Sequence, residues 1–424
     1  MLVWTIMTVI GIHLLWMCGS VAFDWLFMLG ATFCLSAVFL PLLPVTAETV
    51  GLISYSQQYI LSLMTLITVL RIRMRLLRGT CGAMLVFCAL LLISTQYSTE
   101  PFGAFKSRVQ TIMTLVSGMG MAMAAVDMHH LRRNLRLLLG VAFITAIAYS
   151  QNLSNLGVND RLEVGGENSN GIAIVVAVLL LPAVYLAAWE TSWWIRPAAG
   201  VCALWLVLPL LYSGSRTSVA AAGMAVIALL TPLLKRPLVA LVILGGLALG
   251  GWWMLHGVEI GAASRLTDFS SMSGREVIWN RALAEREQAG PLFGWLFGAG
   301  SLLTRVGGNA LIVRNCHSMY VQILAEMGMV GAAAFVLFTL YTLWRCLKVL
   351  LKVSAPEKWL AFALLILPLA IGVAESAPLG SRTLIGLCWG LGLGLLDRLH
   401  YADGEPDLAL TPQPAWRYSE PAMA

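Results

Sequence analysis

An arginine-rich polar insert interrupts an otherwise apolar chain between residues 257 and 317. Its arginines are Arg265, Arg275, Arg281, Arg286, Arg305 and Arg314, and it ends at His317, where the next apolar run begins. Guanidinium groups form planar, bidentate hydrogen bonds to phosphate, whereas the ammonium group of lysine is a point charge. An imidazole can exchange a proton with a hydroxyl group near neutral pH. The insert therefore predicts a site that binds a phosphorylated anion and uses His317 as a base. The alternatives are surface ion pairs for the arginines and a capping or packing role for the histidine.

The insert contains one predicted helix. Ser273 and Glu276 have capping-box spacing, and the sequence VIWNRALAEREQA that follows favours a helix. Helical periodicity places four of its residues on one face, namely Arg275, Trp279, Ala282 and Arg286. We therefore expect Arg275 and Arg286 to bind substrate and Trp279 to support them. The glycine-rich stretch GWLFGAGS at 294–301 predicts a turn, or alternatively a segment whose backbone amides approach a ligand.

Further cations stand where apolar spans begin. Arg216 lies in YSGSRTS at 212–218, and an arginine at the start of a span should face a polar cavity or an anion. The neighbouring serines, Ser218 among them, can cap the helix start, which itself favours anions. Lys106 and Arg108 begin another span in the same way. The alternative for all three cations is that they extend to lipid phosphates at the membrane surface.

The elements that position these residues are predicted to be transmembrane helices. The chain has 424 residues, of which 59% are hydrophobic and 11% are charged. Runs of about 18 to 20 apolar residues, the length that crosses a hydrocarbon core of about 30 Å, recur along most of it. We therefore predict an all-α polytopic membrane protein with about twelve spans, without a cleaved signal peptide. The candidate spans lie near 2–19, 21–40, 52–70, 79–95, 109–127, 135–151, 170–188, 197–212, 217–234, 237–255, 319–344, 359–375 and 381–396. The first two share a 40-residue window, which fits either a single kinked crossing or a short hairpin.

The placement of basic residues predicts the topology. Short basic connectors mark the cytoplasmic side of a membrane protein. Here they lie at 71–78, 132–136, 196, 235–236, 345–358 and 398–417, and they alternate correctly with the spans. This predicts transmembrane helices within 1–256, a large periplasmic loop with short helices at 257–317, further transmembrane helices within 318–398, and a cytoplasmic tail at 399–424.

Several other kinds of chemistry lack their sequence signals. There is no DxD-like pair, HExxH or Walker motif, which argues against a metal-dependent glycosyltransferase, a metalloprotease or an ATP-driven pump. We expect no metal or cofactor and no nucleic-acid partner. The acids in the predicted spans are Asp24, Glu326 and, at the end of one span, Glu375. Glu326 lies about two helical turns beyond His317 and is expected to form hydrogen bonds within the bundle.

Three ordered motifs resemble the O-antigen ligase and O-antigen polymerase superfamily. They are YSGSRTS at 212–218, GREVIW at 274–279 with the glycine-rich PLFGWLFGAG that follows, and HSMYVQILAEMGMVG at 317–331. The NSNGIA sequence at 168–173 looks like a further feature of this family. The resemblance covers roughly residues 150 to 331, with a large outer loop between the second and third motifs.

The resemblance implies a metal-independent glycosyltransferase in the bacterial inner membrane, with its active site facing the periplasm. The donor would be a glycan on undecaprenyl pyrophosphate and the acceptor would be lipid A-core. By the same resemblance His317 activates the acceptor hydroxyl, while Arg216 and Arg275 hold the pyrophosphate. Tyr320, in the same motif as His317, is expected to support it. The chain departs from the family in one respect, because Ser318 replaces an asparagine that often follows the histidine.

A pyrophosphate leaving group needs no protonation, so cationic side chains that stabilise its charge can take the place of a metal. Attack from the opposite side would invert the anomeric centre. Our first hypothesis is therefore an inverting O-antigen ligase of lipopolysaccharide biosynthesis. The alternatives are the O-antigen polymerase that extends the lipid-linked repeat, a protein O-oligosaccharyltransferase and, from a different class, a polysaccharide flippase or exporter.

Overall fold

The computed structural model describes residues 62, 65, 69, 77–98, 101–124, 128–153, 162, 169–235, 275–288, 290–298, 304–306, 311–313, 316–379 and 384–402. Within these residues the α-helices are α1 (Gly79–Ser94), α2 (Pro101–Ala124), α3 (Met128–Leu153), α4 (Ser169–Trp189), α5 (Ile195–Tyr212), α6 (Arg216–Leu230), α7 (Arg275–Gln288), α8 (Met319–Lys352), α9 (Glu357–Ile371) and α10 (Leu384–Ala402). Short 3₁₀ turns cover Thr95–Tyr97, Thr231–Lys235 and Ala377–Leu379, and a π-helical turn covers Pro291–Phe297.

Every predicted span that falls in these residues coincides with a helix. Of the described helices, five are long and apolar enough to cross a membrane, and their segments are Gly79–Tyr97, Ser169–Trp189, Ile195–Tyr212, Arg216–Leu234 and Met319–Lys352. The chain is therefore a helical membrane protein. The predicted spans at 2–19, 21–40 and 237–255, all but three residues of the predicted span at 52–70, and the predicted tail beyond 402 lie outside the described residues, so the count of about twelve spans stays a prediction.

The described residues are almost entirely helical, as predicted, and the insert adds one short hairpin. Strands β1 (Thr304–Val306) and β2 (Leu311–Val313) pair as an antiparallel hairpin, with Thr304 opposite Val313. Both strands are short and rich in valine, leucine, isoleucine and threonine, which favour extended backbone. The insert therefore combines the helix α7, a π-helical turn and this hairpin.

The core of the bundle is formed by tightly packed helices, most extensively α2 against α10. A β-carbon at Gly390 of α10 would overlap the backbone oxygen of Leu115 in α2, and one at Gly118 would overlap that of Leu387. Small residues at a helix–helix contact let the two backbones approach closely, which is how transmembrane helices gain packing energy without a hydrophobic driving force. This contact fixes α2 and α10 relative to each other.

Ion pairs hold the end of the bundle that the basic connectors assign to the cytoplasm. Arg345 of α8 donates to Asp397 of α10 at 3.0 Å, and Asp397 also accepts the N–H groups of Thr80 and Cys81 at the start of α1. Between α4 and α5, Glu190 accepts two hydrogen bonds from Arg136, at 2.8 and 2.9 Å.

Glu190 lies just outside the span of α4, and two opposing effects act on its pKa. Burial raises this pKa, but hydrogen bonds from Arg136 and from the backbone N–H groups of Ser192 and Thr191 outweigh the burial. The net effect lowers the pKa from 4.5 to about 2. Glu190 therefore stays ionised at neutral pH and holds α3 to the connector between α4 and α5.

Candidate functional site

Glu375 is the centre of a polar cluster at the end of the molecule where α8 begins. It lies just after α9 and is buried, at 8% exposure. Its Oε1 atom accepts hydrogen bonds from Nδ2 of Asn170 at 2.8 Å and from Nη2 of Arg275 at 3.0 Å. Its Oε2 atom lies 3.5 Å from Nδ1 of His317. One carboxylate thus joins three residues that come from three separate sequence motifs.

His317 is held in place by its own backbone and by the start of α8. Its φ angle is 48°, in the left-handed region that residues other than glycine seldom adopt. Directly after it, Ser318 is the N-cap of α8 and its hydroxyl accepts from the N–H of Val321 at 3.4 Å. The N–H of Met319 donates to the carbonyl of Gly372 at 2.8 Å, which fixes α8 to the end of α9. The surrounding structure therefore determines a strained conformation at His317, a feature that clusters at functional sites.

Helix α7 brings Arg275 to this cluster. Indole Nε1 of Trp279 donates to the carbonyl oxygen of Cys316 at 2.8 Å, so α7 is fixed to the residue that precedes His317. Ala282 packs with Cys316 and with Ala325 of α8 in a small buried apolar cluster. The buried side of α7 thus follows the periodicity predicted from the sequence. The predicted capping residue Ser273 lies outside the described residues.

Asn170 reaches the cluster because α4 begins beside it. Ser169 and Asn170 form the first turn of α4, and Ser169 is fully buried. The sequence marks this segment as a family feature but gives no role to Asn170, and it marks Glu375 only as an acid at the end of a span. The one sequence signal for Glu375 is that an acid at membrane depth is costly unless it is paired.

Arg216 begins α6, and the helix order places it on the same side of the membrane as His317. Helices α4 and α5 pack together and are joined by a short connector, so the end of α5 lies on the side where α4 begins. The N–H of Leu162, from the segment before α4, donates to the carbonyl of Tyr212 at 3.1 Å. Arg216 is half-buried, and within the part of the chain that the structure describes no hydrogen bond or ion pair is found for its guanidinium group. Among the described residues, therefore, no carboxylate neutralises its charge.

Ser218 and Tyr320, expected to support the site, have local partners. The Ser215 and Ser218 hydroxyl oxygens lie 3.1 Å apart, and the hydroxyl of Ser215, the N-cap of α6, makes no hydrogen bond to a backbone N–H group there. Ser215 therefore bonds to the side chain of Ser218 in place of the predicted cap of α6. The hydroxyl of Tyr320 donates to the carbonyl of Leu369 at 2.8 Å, so Tyr320 ties α8 to α9.

Arg108 and Lys106, which were both predicted to bind an anion, lie in different surroundings. Arg108 is buried at 5% exposure, where it forms an ion pair with Glu326 and donates to the carbonyl of Leu379 at 3.1 Å. Gln322 donates to the other oxygen of Glu326 at 2.9 Å. The charge of Arg108 is therefore neutralised inside the bundle, and Glu326 has the structural role expected of it. Lys106 points elsewhere because residues two apart on a helix lie on different faces, and it is exposed.

Arg286 is separated from the cluster. Arg275 and Arg286 are three turns apart on α7, a distance of about 16 Å along the axis, which is much longer than a pyrophosphate group. The guanidinium carbon of Arg286 lies 4.1 Å from the ring centre of Trp295. A π-helical turn runs from Pro291 to Phe297, bounded by glycines with positive φ at 290 and 298, and it includes the first four residues of the turn predicted at 294–301. Residues 299–301 of that prediction lie outside the described residues. Arg286 and this turn therefore form a separate feature of the insert.

The cluster around Glu375 has the parts of a general-base site. When Nδ1 of His317 carries its proton toward the carboxylate, Nε2 is the atom that accepts a proton from a substrate. The carboxylate then stabilises the imidazolium ion that forms. Arg275 and Arg216 add positive charge on the same side of the membrane, suited to a phosphate-bearing leaving group. Among the described residues, no three histidine, cysteine, aspartate or glutamate side chains group as metal ligands would.

Comparison with known proteins identifies a family domain in the middle of the chain. Residues 201–336 match the family model described as O-antigen ligase. The matched segment contains Arg216, Arg275 and His317, whereas Asn170 and Glu375 lie outside it. No curated protein matches the chain. The resemblance inferred from the sequence motifs is thereby confirmed at the level of the superfamily.

Proposed function

We propose, from the membership of this membrane protein in the O-antigen ligase superfamily, that it is an O-antigen ligase of the bacterial inner membrane. In this proposal it transfers O-polysaccharide from undecaprenyl pyrophosphate to lipid A-core. The observation that supports this most strongly is the Glu375 cluster, which holds a base and a phosphate-binding cation within one hydrogen-bonded unit.

In the proposed reaction His317 is the general base. Nε2 takes the proton of an acceptor hydroxyl as that oxygen forms a bond to the anomeric carbon of the donor. The bond between this carbon and the pyrophosphate oxygen breaks, and its electron pair leaves with the pyrophosphate. The proton stays on His317, where Glu375 stabilises the added charge. Attack opposite the leaving group inverts the anomeric centre.

The arginines stabilise the leaving group in this mechanism. Arg275 is oriented by Glu375 but uses only Nη2 for that contact. A guanidinium group carries five N–H donors, so it can bind a carboxylate and a phosphate together. Arg216 supplies a second cation from the start of α6. Fixed cations placed where negative charge develops cost no reorganisation during the reaction, and this allows a metal-independent mechanism.

The distribution of basic residues supports a periplasmic site. Lys348 and Lys352 lie near the end of α8 that is opposite His317, and Arg132 and Arg136 lie near the start of α3. Basic residues of this kind favour the cytoplasm. His317 and Glu375 are then on the periplasmic side, where both lipid-linked substrates would be met.

The lipopolysaccharide of a deletion strain tests the reaction. A ligase predicts that long O-chains accumulate on undecaprenyl pyrophosphate while the core stays bare, and that the full-length gene restores the product. A core that carries a single repeat would instead identify the polymerase of the same superfamily. Transfer by purified protein in excess chelator tests the metal-independent mechanism, which activity lost in chelator and restored by a divalent ion would overturn.

A further inference from the structure

The π-helical turn Pro291–Phe297 presents an apolar surface away from the protein. Its side chains with large exposed fractions are Leu292 (56%), Trp295 (47%), Leu296 (40%) and Phe297 (37%). Four large apolar groups in seven residues are costly in water, and a patch of this kind marks an interaction surface. The backbone of the turn is hydrogen-bonded within itself, and it is closed at its start by the N–H of Gly294, which donates to the carbonyl of Gly290 at 2.8 Å.

The turn packs against α8 at a bend in that helix. Gly328 interrupts α8 with φ 64° and ψ −160°. A β-carbon at Gly328 would meet the backbone of Leu296 and Gly298, and one at Gly298 would meet the backbone of Glu326 and Met327. Two glycines thus let the turn and the helix touch backbone to backbone. The depth of the turn in the membrane is therefore set by the position of Gly328 along α8.

The length of a membrane crossing, counted along α8 from its basic end, places Gly328 near the edge of the hydrocarbon layer. A crossing of about 30 Å takes about 20 helical residues. Counted back from Arg345 or from Lys348, cations near the other end of α8, such a crossing begins near residue 325 or residue 328. Met329 and Val330, next to the bend, are 51% and 36% exposed, so the exposed apolar surface of the span continues into that of the turn.

Arg286 places a buried positive charge beneath this surface, and among the described residues it forms no ion pair. Its exposure is only 4%, and within the described residues its Nε and Nη1 atoms have no hydrogen-bond partner. A buried, unpaired cation is costly unless an anion accompanies it. Trp295 covers one face of the guanidinium group and is itself half exposed toward the apolar surface. An anion would therefore reach Arg286 from the side of the turn. The indole ring of Trp295 would rotate away from the guanidinium group to admit it.

We propose that the turn Pro291–Phe297 is seated in the membrane interface on the side where α8 begins and binds a membrane phospholipid there. The lipid chains lie against Leu292, Trp295 and Leu296, and Arg286, three turns of α7 from Arg275 and so apart from the proposed pyrophosphate site, binds the phosphate. The turn is then a membrane-facing part of the periplasmic loop predicted for residues 257–317. This proposal rests on α8 as a membrane span and not on glycosyl transfer, so its tests do not require an active enzyme.

The depth of the turn is measured with an environment-sensitive fluorophore on Leu292→Cys in the full chain, reconstituted into phosphatidylcholine vesicles. Val277→Cys is the matched control, because it is similarly exposed, at 60%, but lies at the other end of α7. Lipids that carry a nitroxide near the head of the acyl chain should quench the label at 292 several-fold more than the label at 277. Unmutated protein gives the background from native cysteines. Equal, weak quenching at both positions would overturn the seating of the turn.

The phosphate contact is measured by the retention of phosphatidic acid, compared with diacylglycerol of the same chains, on detergent-solubilised protein in native mass spectrometry. Wild-type protein should retain phosphatidic acid preferentially, and Arg286→Gln should weaken this at least about tenfold, as expected for a charge-assisted hydrogen bond. Arg281→Gln, an exposed arginine on the same helix, should retain it as wild type does. Arg286→Lys keeps the positive charge, so this variant should keep part of the preference for phosphatidic acid. Its retention of the lipid would show that a protein changed at this position still folds.

Equal retention by wild type and Arg286→Gln would contradict the phosphate contact. Competition with a polyprenyl pyrophosphate tests whether the ligand is a membrane phospholipid. Failure of the polyprenyl pyrophosphate to displace phosphatidic acid supports the proposal. Displacement would overturn it by assigning the surface to a lipid-linked substrate.

Discussion

Replacement of Glu375 by glutamine removes the negative charge from the centre of the site while keeping its size. The carboxylate is 3.5 Å from the imidazole of His317 and receives Arg275 and Asn170 on its other oxygen. Two unit charges about 4 Å apart interact by about 4 kcal/mol at an effective dielectric constant of 20, which corresponds to about a thousandfold in rate. Since Arg275 shares the carboxylate and already offsets part of its charge, we expect kcat to fall between about 10²- and 10³-fold.

The assay is transfer of a labelled glycan from undecaprenyl pyrophosphate to lipid A-core by reconstituted protein, with melting temperature measured on each variant. Glu357→Gln is the matched control, because Glu357 is as deeply buried and also pairs with an arginine, Arg132, but at the other end of α9. It should lower stability and leave the rate per folded molecule near that of wild type. In addition, Glu375→Gln should lower the rate of transfer little further in a protein that already carries His317→Ala, because the two residues act as one unit. A folded Glu375→Gln protein that keeps its kcat within threefold of wild type would show that the Glu375 carboxylate does not stabilise the imidazolium ion of His317.

Three further substitutions test other parts of the account. Arg275→Lys should lower transfer at least tenfold because a point charge cannot bind carboxylate and phosphate together, whereas Arg281→Lys, an exposed change on the same helix, should not; equal activities would exclude Arg275 from the site. Glu326→Gln leaves Arg108 buried and unpaired, so it should lower the free energy of unfolding by about 3 to 5 kcal/mol, read from chemical denaturation of the solubilised protein; a loss under about 1 kcal/mol would contradict the buried ion pair. Glu190→Gln should lower the melting temperature at pH 7, and the difference should shrink as the pH falls from 4.5 toward 2, since a lowered pKa stabilises the fold only while the carboxylate is ionised; a pH-independent difference would contradict it.

Local periodicity and motif order predicted most of what the structure shows within single elements. The helices of the described residues follow their apolar runs, and α7 buries Ala282 and Arg286 as a period of 3.6 residues requires. His317, Arg275 and Arg216 were identified one motif at a time. These are local signals, and each depends on a few neighbouring residues.

Contacts between residues that are far apart in the chain could not be predicted from the sequence. Glu375 lies 58 positions from His317 and 205 from Asn170, and nothing local indicates that one carboxylate joins them. The prediction that Arg108 binds an anion did not account for its counter-ion, Glu326, which lies 218 positions away in the chain. The π-helical turn was predicted as a simple turn because its helical form depends on contact between Gly298 and Gly328. In each case the deciding energy comes from tertiary packing.

The central claim is that His317 accepts the proton of the acceptor hydroxyl in a glycosyl transfer. The most direct measurement compares wild type with His317→Ala, equally inserted in vesicles, for single-turnover formation of the glycosylated lipid A-core from a lipid pyrophosphate donor. We expect product from wild type and about 10²- to 10⁴-fold slower formation by the variant, the range for loss of a general base. Product formed by His317→Ala at the wild-type rate would contradict it.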